Sequence, residues 1–213
     1  MGVPLHLGGR TRGWIGRRLG GDETLGDRVW RRCLHLGGLV VLAVYVVPAD
    51  LFGPVPVRYV LDAALAAVLL LELLRILGRV ELPTIRPHER RRVASYAYYA
   101  IALVLAVELL PEAVAVAAVV GCALVDPLLG ELRGHGLARR PAAGLGALVY
   151  GGIALAALVA LDGPPRAILG VAAVVGAGLA VLVEGPGSWL PVDDDLAMVL
   201  VPGVVTALLL AVA

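Results

Sequence analysis

The sequence contains no lysine: the 18 Lys+Arg residues are all arginine. Chemistry that needs a compact, titratable ammonium, such as a Schiff base or a P-loop lysine, is therefore excluded. Aromatic residues make up only 5% of the chain. Cysteine occurs twice, as Cys33 and Cys122, each inside an apolar run. Neither their number nor their spacing suits a metal cage or a redox pair, so both are expected to be small core residues. A cleaved leader is not expected either. The first apolar run begins only after Arg32, and the basic stretch before it is too long. The formal net charge is +1, and nucleic acid is not an expected partner.

What the chain has instead is apolar mass. Of its 213 residues, 60% are hydrophobic, and the mean hydropathy is +0.90. Soluble domains run at about 45–50% apolar, so the excess points to a membrane lipid bilayer as solvent. The apolar residues are mostly Ala, Val, Leu and Gly, whose small side chains let helices approach closely in lipid. Runs long enough to cross a bilayer, or nearly so, lie at 33–52, 57–78, 95–110, 111–130, 142–161, 164–184 and 196–213. Leu110-Pro111, Arg140-Pro141 and Gly163-Pro164 mark tight connections. The expectation is an all-α, polytopic bundle of about seven transmembrane helices over residues 29–213, after a basic arm over 1–28.

Arginine placement orients this bundle. The lead holds Arg10, Arg12, Arg17, Arg18, Arg28, Arg31 and Arg32. The loop after the second run holds Arg79, Arg86, Arg90, Arg91 and Arg92, and the loop after the fourth holds Arg133, Arg139 and Arg140. The alternate loops hold only Arg58 and Arg166. The N-terminus is thus expected in the cytoplasm, in a multi-pass protein of the cell membrane. The loop carrying Asp193, Asp194 and Asp195 then falls on the same inner side. Acids facing arginines there suit a metal–phosphate site, and a solvated loop would read the same way.

Charges within apolar spans are costly, so each is a functional candidate. Glu72 and Arg75 stand at i, i+3 on one helix face, close enough to pair. Pro127 disfavours helical geometry at Asp126, so the fourth helix is expected to break there. The break would place Asp126 at an irregular turn near the inner surface, where an oxygen ligand suits Mg²⁺. Arg31, Arg32 and His35 open the first span. His35 can serve as a proton acceptor or phosphate ligand, or as an interfacial imidazole. Arg90, Arg91 and Arg92 precede a tyrosine-rich helix start. They can hold phosphate bidentately, and they serve equally as positive-inside anchors. Asp62 and Glu108 read as residues of the outer interface. The middles of the third, fifth, sixth and seventh runs are almost purely Ala, Val, Leu, Gly and Ile, which argues against a carrier with a polar path.

These motifs, in this order, resemble the polyprenol kinase family: the dolichol and phytol kinases and their archaeal relatives, which share a membrane fold with phosphatidate cytidylyltransferase-like enzymes. The resemblance runs through "RRCLH" (31–35), "ELLR" (72–75), "ERRRVASYAYY" (89–99), "DPLLG" (126–130) and "VDDDLAMVLVPG" (192–203). The chain departs from the family's pattern at Val125, Asp195, Ala197 and Val199. The resemblance implies a lipid-alcohol kinase-like domain that transfers phosphate from CTP, or another nucleotide, to a long isoprenoid alcohol such as dolichol or another polyprenol. It implies Asp126, His35 and Arg32 as catalytic residues. Arg31, Arg90, Arg91, Arg139 and Arg140 would bind the nucleotide, and Asp126, Asp193, Asp194 and Asp195 would hold Mg²⁺. A CDP-lipid synthase acting on a lipid phosphate needs the same parts. A diverged, non-catalytic membrane protein is the remaining alternative.

Overall fold

The computed structural model describes residues 25–46, 57–82, 85, 89, 92–162, 167–184 and 193–212. Among these residues there is no strand, and there are seven helices: α1 (Leu25–Val46), α2 (Val57–Ile76), α3 (Ser95–Leu109), α4 (Glu112–Gly134), α5 (Arg139–Asp162), α6 (Ala167–Val183) and α7 (Asp194–Ala211). Each lies on one of the seven apolar runs. Three of them are long and apolar enough to cross a membrane: Glu112–Gly134, Arg139–Leu161 and Asp194–Ala211. The apolar helices α3 and α6 are shorter, with 15 and 17 residues. At 1.5 Å per residue α3 spans about 22 Å, short of a hydrocarbon core of about 30 Å. Large apolar side chains stand exposed around the bundle, among them Tyr59, Leu148, Val174 and Leu208.

The helices run alternately up and down. Ser95 at the start of α3 meets Asp193 at the start of α7. Arg32 near the start of α1 pairs with Glu131 near the end of α4. Arg133, in the last turn of α4, pairs with Glu184 just past α6. At the other end of the α2–α3 pair, Arg58 lies 3.6 Å from Glu108. Asp193–Asp195 and Asp126 therefore share one end of the bundle, with Arg58 and Glu108 at the opposite end.

Two glycines finish helices at that shared end. Gly78 (φ +69°) and Gly136 (φ +86°) take the left-handed conformation that costs glycine nothing. After α4, Gly136 N–H donates to Arg133 C=O and Leu137 N–H to Leu132 C=O. After α2, Gly78 N–H donates to Arg75 C=O and Arg79 N–H to Leu74 C=O. Both are Schellman closures, which satisfy carbonyls the helix would otherwise leave unbonded.

Helix α4 is the most buried of the three long apolar helices, and it packs against α5, α7, α1 and α3. Small residues permit the closeness. A Cβ at Gly38 would lie 2.5 Å from the Tyr99 hydroxyl, and one at Gly121 would run into the Tyr150 ring.

Three expectations need correction. Helix α4 does not break at Asp126; it continues through Pro127 to Gly134. A proline within a helix forfeits one hydrogen bond and biases the residue before it without forbidding helical geometry there. Here Val125 and Leu129 are buried on either side of the proline, and the ion pairs of Glu131 and Arg133 hold the last turns. The first helix begins at Leu25, so α1 overlaps the arm expected over 1–28, of which residues 1–24 lie outside the described residues. Cys33 is exposed, whereas Cys122 is buried as expected. Cys33 stands on α1, where Gly38 and Leu42, the buried positions among its described side chains, come later in the helix.

Candidate functional site

The site is built on two helix starts lying side by side. Asp193 is the N-cap of α7: its Oδ1 accepts from the Asp195 N–H at 3.1 Å. Asp194 and Asp195 fill the first turn, where the partial positive charge of the helix end offsets carboxylates. The start of α3 has no cap of its own, because Ala94 offers no side-chain acceptor. Two distant carboxylates supply one. Glu72 Oε1 accepts from the Ala94 N–H at 2.7 Å. Glu89 Oε1 accepts from the Ser95 N–H at 3.3 Å and from its hydroxyl at 3.1 Å. Five acids thus cluster at the N-termini of α3 and α7, and the helix ends provide much of the positive potential that lets them do so.

Ser95 joins the two halves. Its hydroxyl also lies 3.4 Å from Asp193 Oδ2. Behind it is a buried ion pair. Arg75 donates to both oxygens of Glu72, at 2.6 and 2.7 Å. Its remaining donors reach the Glu89 carbonyl at 3.1 Å and the Arg92 carbonyl at 2.6 Å. Tyr96 donates its hydroxyl to Glu72. The i, i+3 pairing expected for Glu72 and Arg75 is present, as part of a wider clamp that holds the α2–α3 connection.

On the other side stands Asp126, half-buried on α4. Cys122, one turn earlier, lies within electrostatic reach of Asp126, Asp193, Asp194 and Asp195, and its thiol is 4.0 Å from the Asp195 carbonyl. Glu184 feels both Asp126 and Asp194. The acids separated in sequence are therefore gathered in space. Two of these carboxyls are held above the usual carboxylate range. Burial, and then the charge of Asp194, push Asp193 up from 3.8 to about 6. Burial likewise pushes Glu184 up, against the opposing pull of Arg133.

One carboxylate oxygen from each of Asp193, Asp194 and Asp195 lies within 4.8 Å of the others. The set is all hard oxygen donors, which suits Mg²⁺ or Ca²⁺ and not a soft metal. A bound divalent cation would relieve the like-charge repulsion that adds to burial in raising Asp193.

The expected basic residues divide. Arg32 is half-exposed and paired with Glu131. Arg139 and Arg140 are exposed on the first turn of α5, with no ion pair to a described residue. Arg90 and Arg91 lie outside the described residues, as do the side chains of Arg31 and His35, whose backbones belong to α1. Besides Arg75, Arg133 enters the acid cluster, through Glu184. Sequence reasoning passed over Glu89, Ser95 and Glu184. Glu184 had one signal, as a lone acid closing an apolar run before Gly185-Pro186; Glu89 was hidden by the three arginines that follow it.

Comparison with protein-family models, curated proteins and solved structures finds no match to this chain.

Proposed function

We propose that the chain is a seven-span membrane enzyme, N-terminus in the cytoplasm, that transfers phosphate from CTP or another nucleotide to a long isoprenoid alcohol at the inner membrane face. The observation that carries the reading is the convergence of Asp126, Asp193, Asp194, Asp195 and Glu184 at one end of the bundle. That is the end on which the sequence concentrates its arginines. Phosphoryl transfer asks little covalent chemistry of a protein; it needs cations, positioning and exclusion of water. Asp193, Asp194, Asp195 and Asp126 would hold Mg²⁺, which when bound neutralises charge on the phosphates. Arg133, tethered to Glu184, is the cationic side chain best set to assist. The short α3 and the charged α1 and α2 are accommodated in the seven-span reading if the bilayer thins locally around them.

The test is an assay of purified protein with Mg²⁺, CTP labelled at the γ- or α-phosphate, and a series of isoprenoid alcohols and, separately, lipid phosphates. The expected result is a labelled lipid monophosphate, lost in Asp126→Ala while the variant stays in the membrane fraction. Label that enters lipid only from α-labelled CTP would instead assign a CDP-lipid synthase. No product with any nucleotide would overturn both.

A further inference from the structure

A cavity of about 180 Å³ lies between α1, α2 and α3, apart from the acid cluster but touching it at one end. We infer that this cavity binds a single apolar chain bearing a terminal hydroxyl, with the hydroxyl held at Glu89 and Ser95. The assignment rests on the proposed reading for the alcohol's role as phosphate acceptor. Its location and orientation come from the cavity itself.

Shape is the first argument. The lining runs along α3 from Ser95 to Val104 and along α2 from Leu61 to Val68. Nine residues of helix rise make the slot about 13 Å long. With the volume it has, the slot takes the leading isoprene units of one chain and not the paired chains of a phospholipid. Small residues open it: Ala64 and Ala100 leave room that larger side chains would fill.

Chemistry is the second argument. The walls are almost wholly apolar, and such a cavity is poorly suited to water. Glu89, Ser95 and Tyr96 line one end, and Tyr99 lies one helical turn further along. Glu89 is a buried carboxylate that already accepts a hydroxyl hydrogen bond, from Ser95. An ionised carboxylate has about four acceptor sites and no donor, so it discriminates in favour of a hydroxyl over an ether or a second acid. Ser95 reaches on to Asp193, so a hydroxyl seated there lies beside the α7 acids. Access is the third argument. Helices α1 and α2 pack more sparsely on one another than α2 packs on α3, so their seam is the side on which a chain would enter from lipid.

The experiment uses the full chain in lipid nanodiscs and a geranylgeraniol analogue carrying a diazirine on its second isoprene unit, which the slot is long enough to hold. Peptide mapping after illumination should place the label on cavity residues such as Val41, Leu65 or Val104. Unlabelled geranylgeraniol should displace it about tenfold better than geranylgeranyl methyl ether, a difference of about 1.4 kcal/mol. Ala100→Trp, which fills the slot, should cut labelling by at least about tenfold; Leu148→Trp, on the exposed face of α5, should leave it unchanged. Label mapped outside α1, α2 and α3, or equal displacement by the ether, overturns the site. Phosphorylation measured on the same preparation separates the two ideas. A labelled cavity without product sinks the kinase reading and keeps the site; product with label elsewhere does the reverse.

Discussion

Ser95 and Asp193 stand 98 residues apart in the chain, and their side-chain oxygens lie 3.4 Å apart in the fold. That contact ties the start of α3 to the start of α7 and puts Asp193 in an acidic, half-buried setting. Its consequences can be measured through acidity, through the clamp behind it and through the packing that brings these helices together.

The acidity has a definite sign. A carboxyl whose folded-state value is raised binds more protons folded than unfolded across the interval between the two values. For Asp193 that interval runs from 3.8 to about 6. Its contribution to stability is therefore present below this window and is lost as pH rises through it. Asp193→Asn keeps an oxygen acceptor for the Asp195 N–H but carries no charge. Metal-free wild-type protein should lose melting temperature across the window more steeply than this variant. Millimolar Mg²⁺ should restore wild type, and not the variant, above the window. Identical pH profiles for the two proteins would remove Asp193 from the repulsive cluster.

The Glu72–Arg75 clamp makes a second prediction. The two residues are 3% and 7% exposed. Replacing either alone, as Glu72→Leu or Arg75→Met, strands a buried charge and should cost about 3–5 kcal/mol. The double variant should cost less than the sum of the two, with a coupling of about 1–3 kcal/mol. Reversible unfolding in mixed micelles gives all three numbers. Additive losses would mean that the ion pair is incidental to the bonds each partner makes with the backbone.

Two glycines of α4 should respond oppositely to alanine. A Cβ at Gly121 meets the Tyr150 ring, whereas one at Gly130 meets nothing within 4 Å. Gly121→Ala should destabilise by about 1–3 kcal/mol through overpacking. Gly130→Ala should stabilise by about 0.5–1 kcal/mol, the helix-interior difference between the two residues. Equal effects would show that the α4–α5 contact is looser than this packing.

The helices were legible because hydrophobicity alone locates them. The runs ending near Leu110, Gly130 and Leu161 reappear as α3, α4 and α5 with shifts of a few residues. The shared end of Asp126 and Asp193–Asp195 was legible from arginine counting. What was not legible depends on partners distant in sequence. Nothing local tells that Glu89, written beside three arginines, is the buried acid among them; the α2–α3 packing decides that. Pro127 misled because the rule it invokes is a local bias, and α4 is held on both sides of it by buried neighbours. Helix α1 began early because Leu25 to Trp30 continue helically through polar residues that hydropathy discounts. Arg139 and Arg140 matched an expected basic position but face outward at the start of α5.

The clamp has a consequence for chain connectivity. Arg75 grips the carbonyls of Glu89 and Arg92, and Glu72 grips the Ala94 amide, so both sides of the connection are fastened non-covalently. Covalent continuity between Leu82 and Glu89 is then redundant for assembly. Two separately expressed fragments, divided at that point, should find one another and rebuild the same particle.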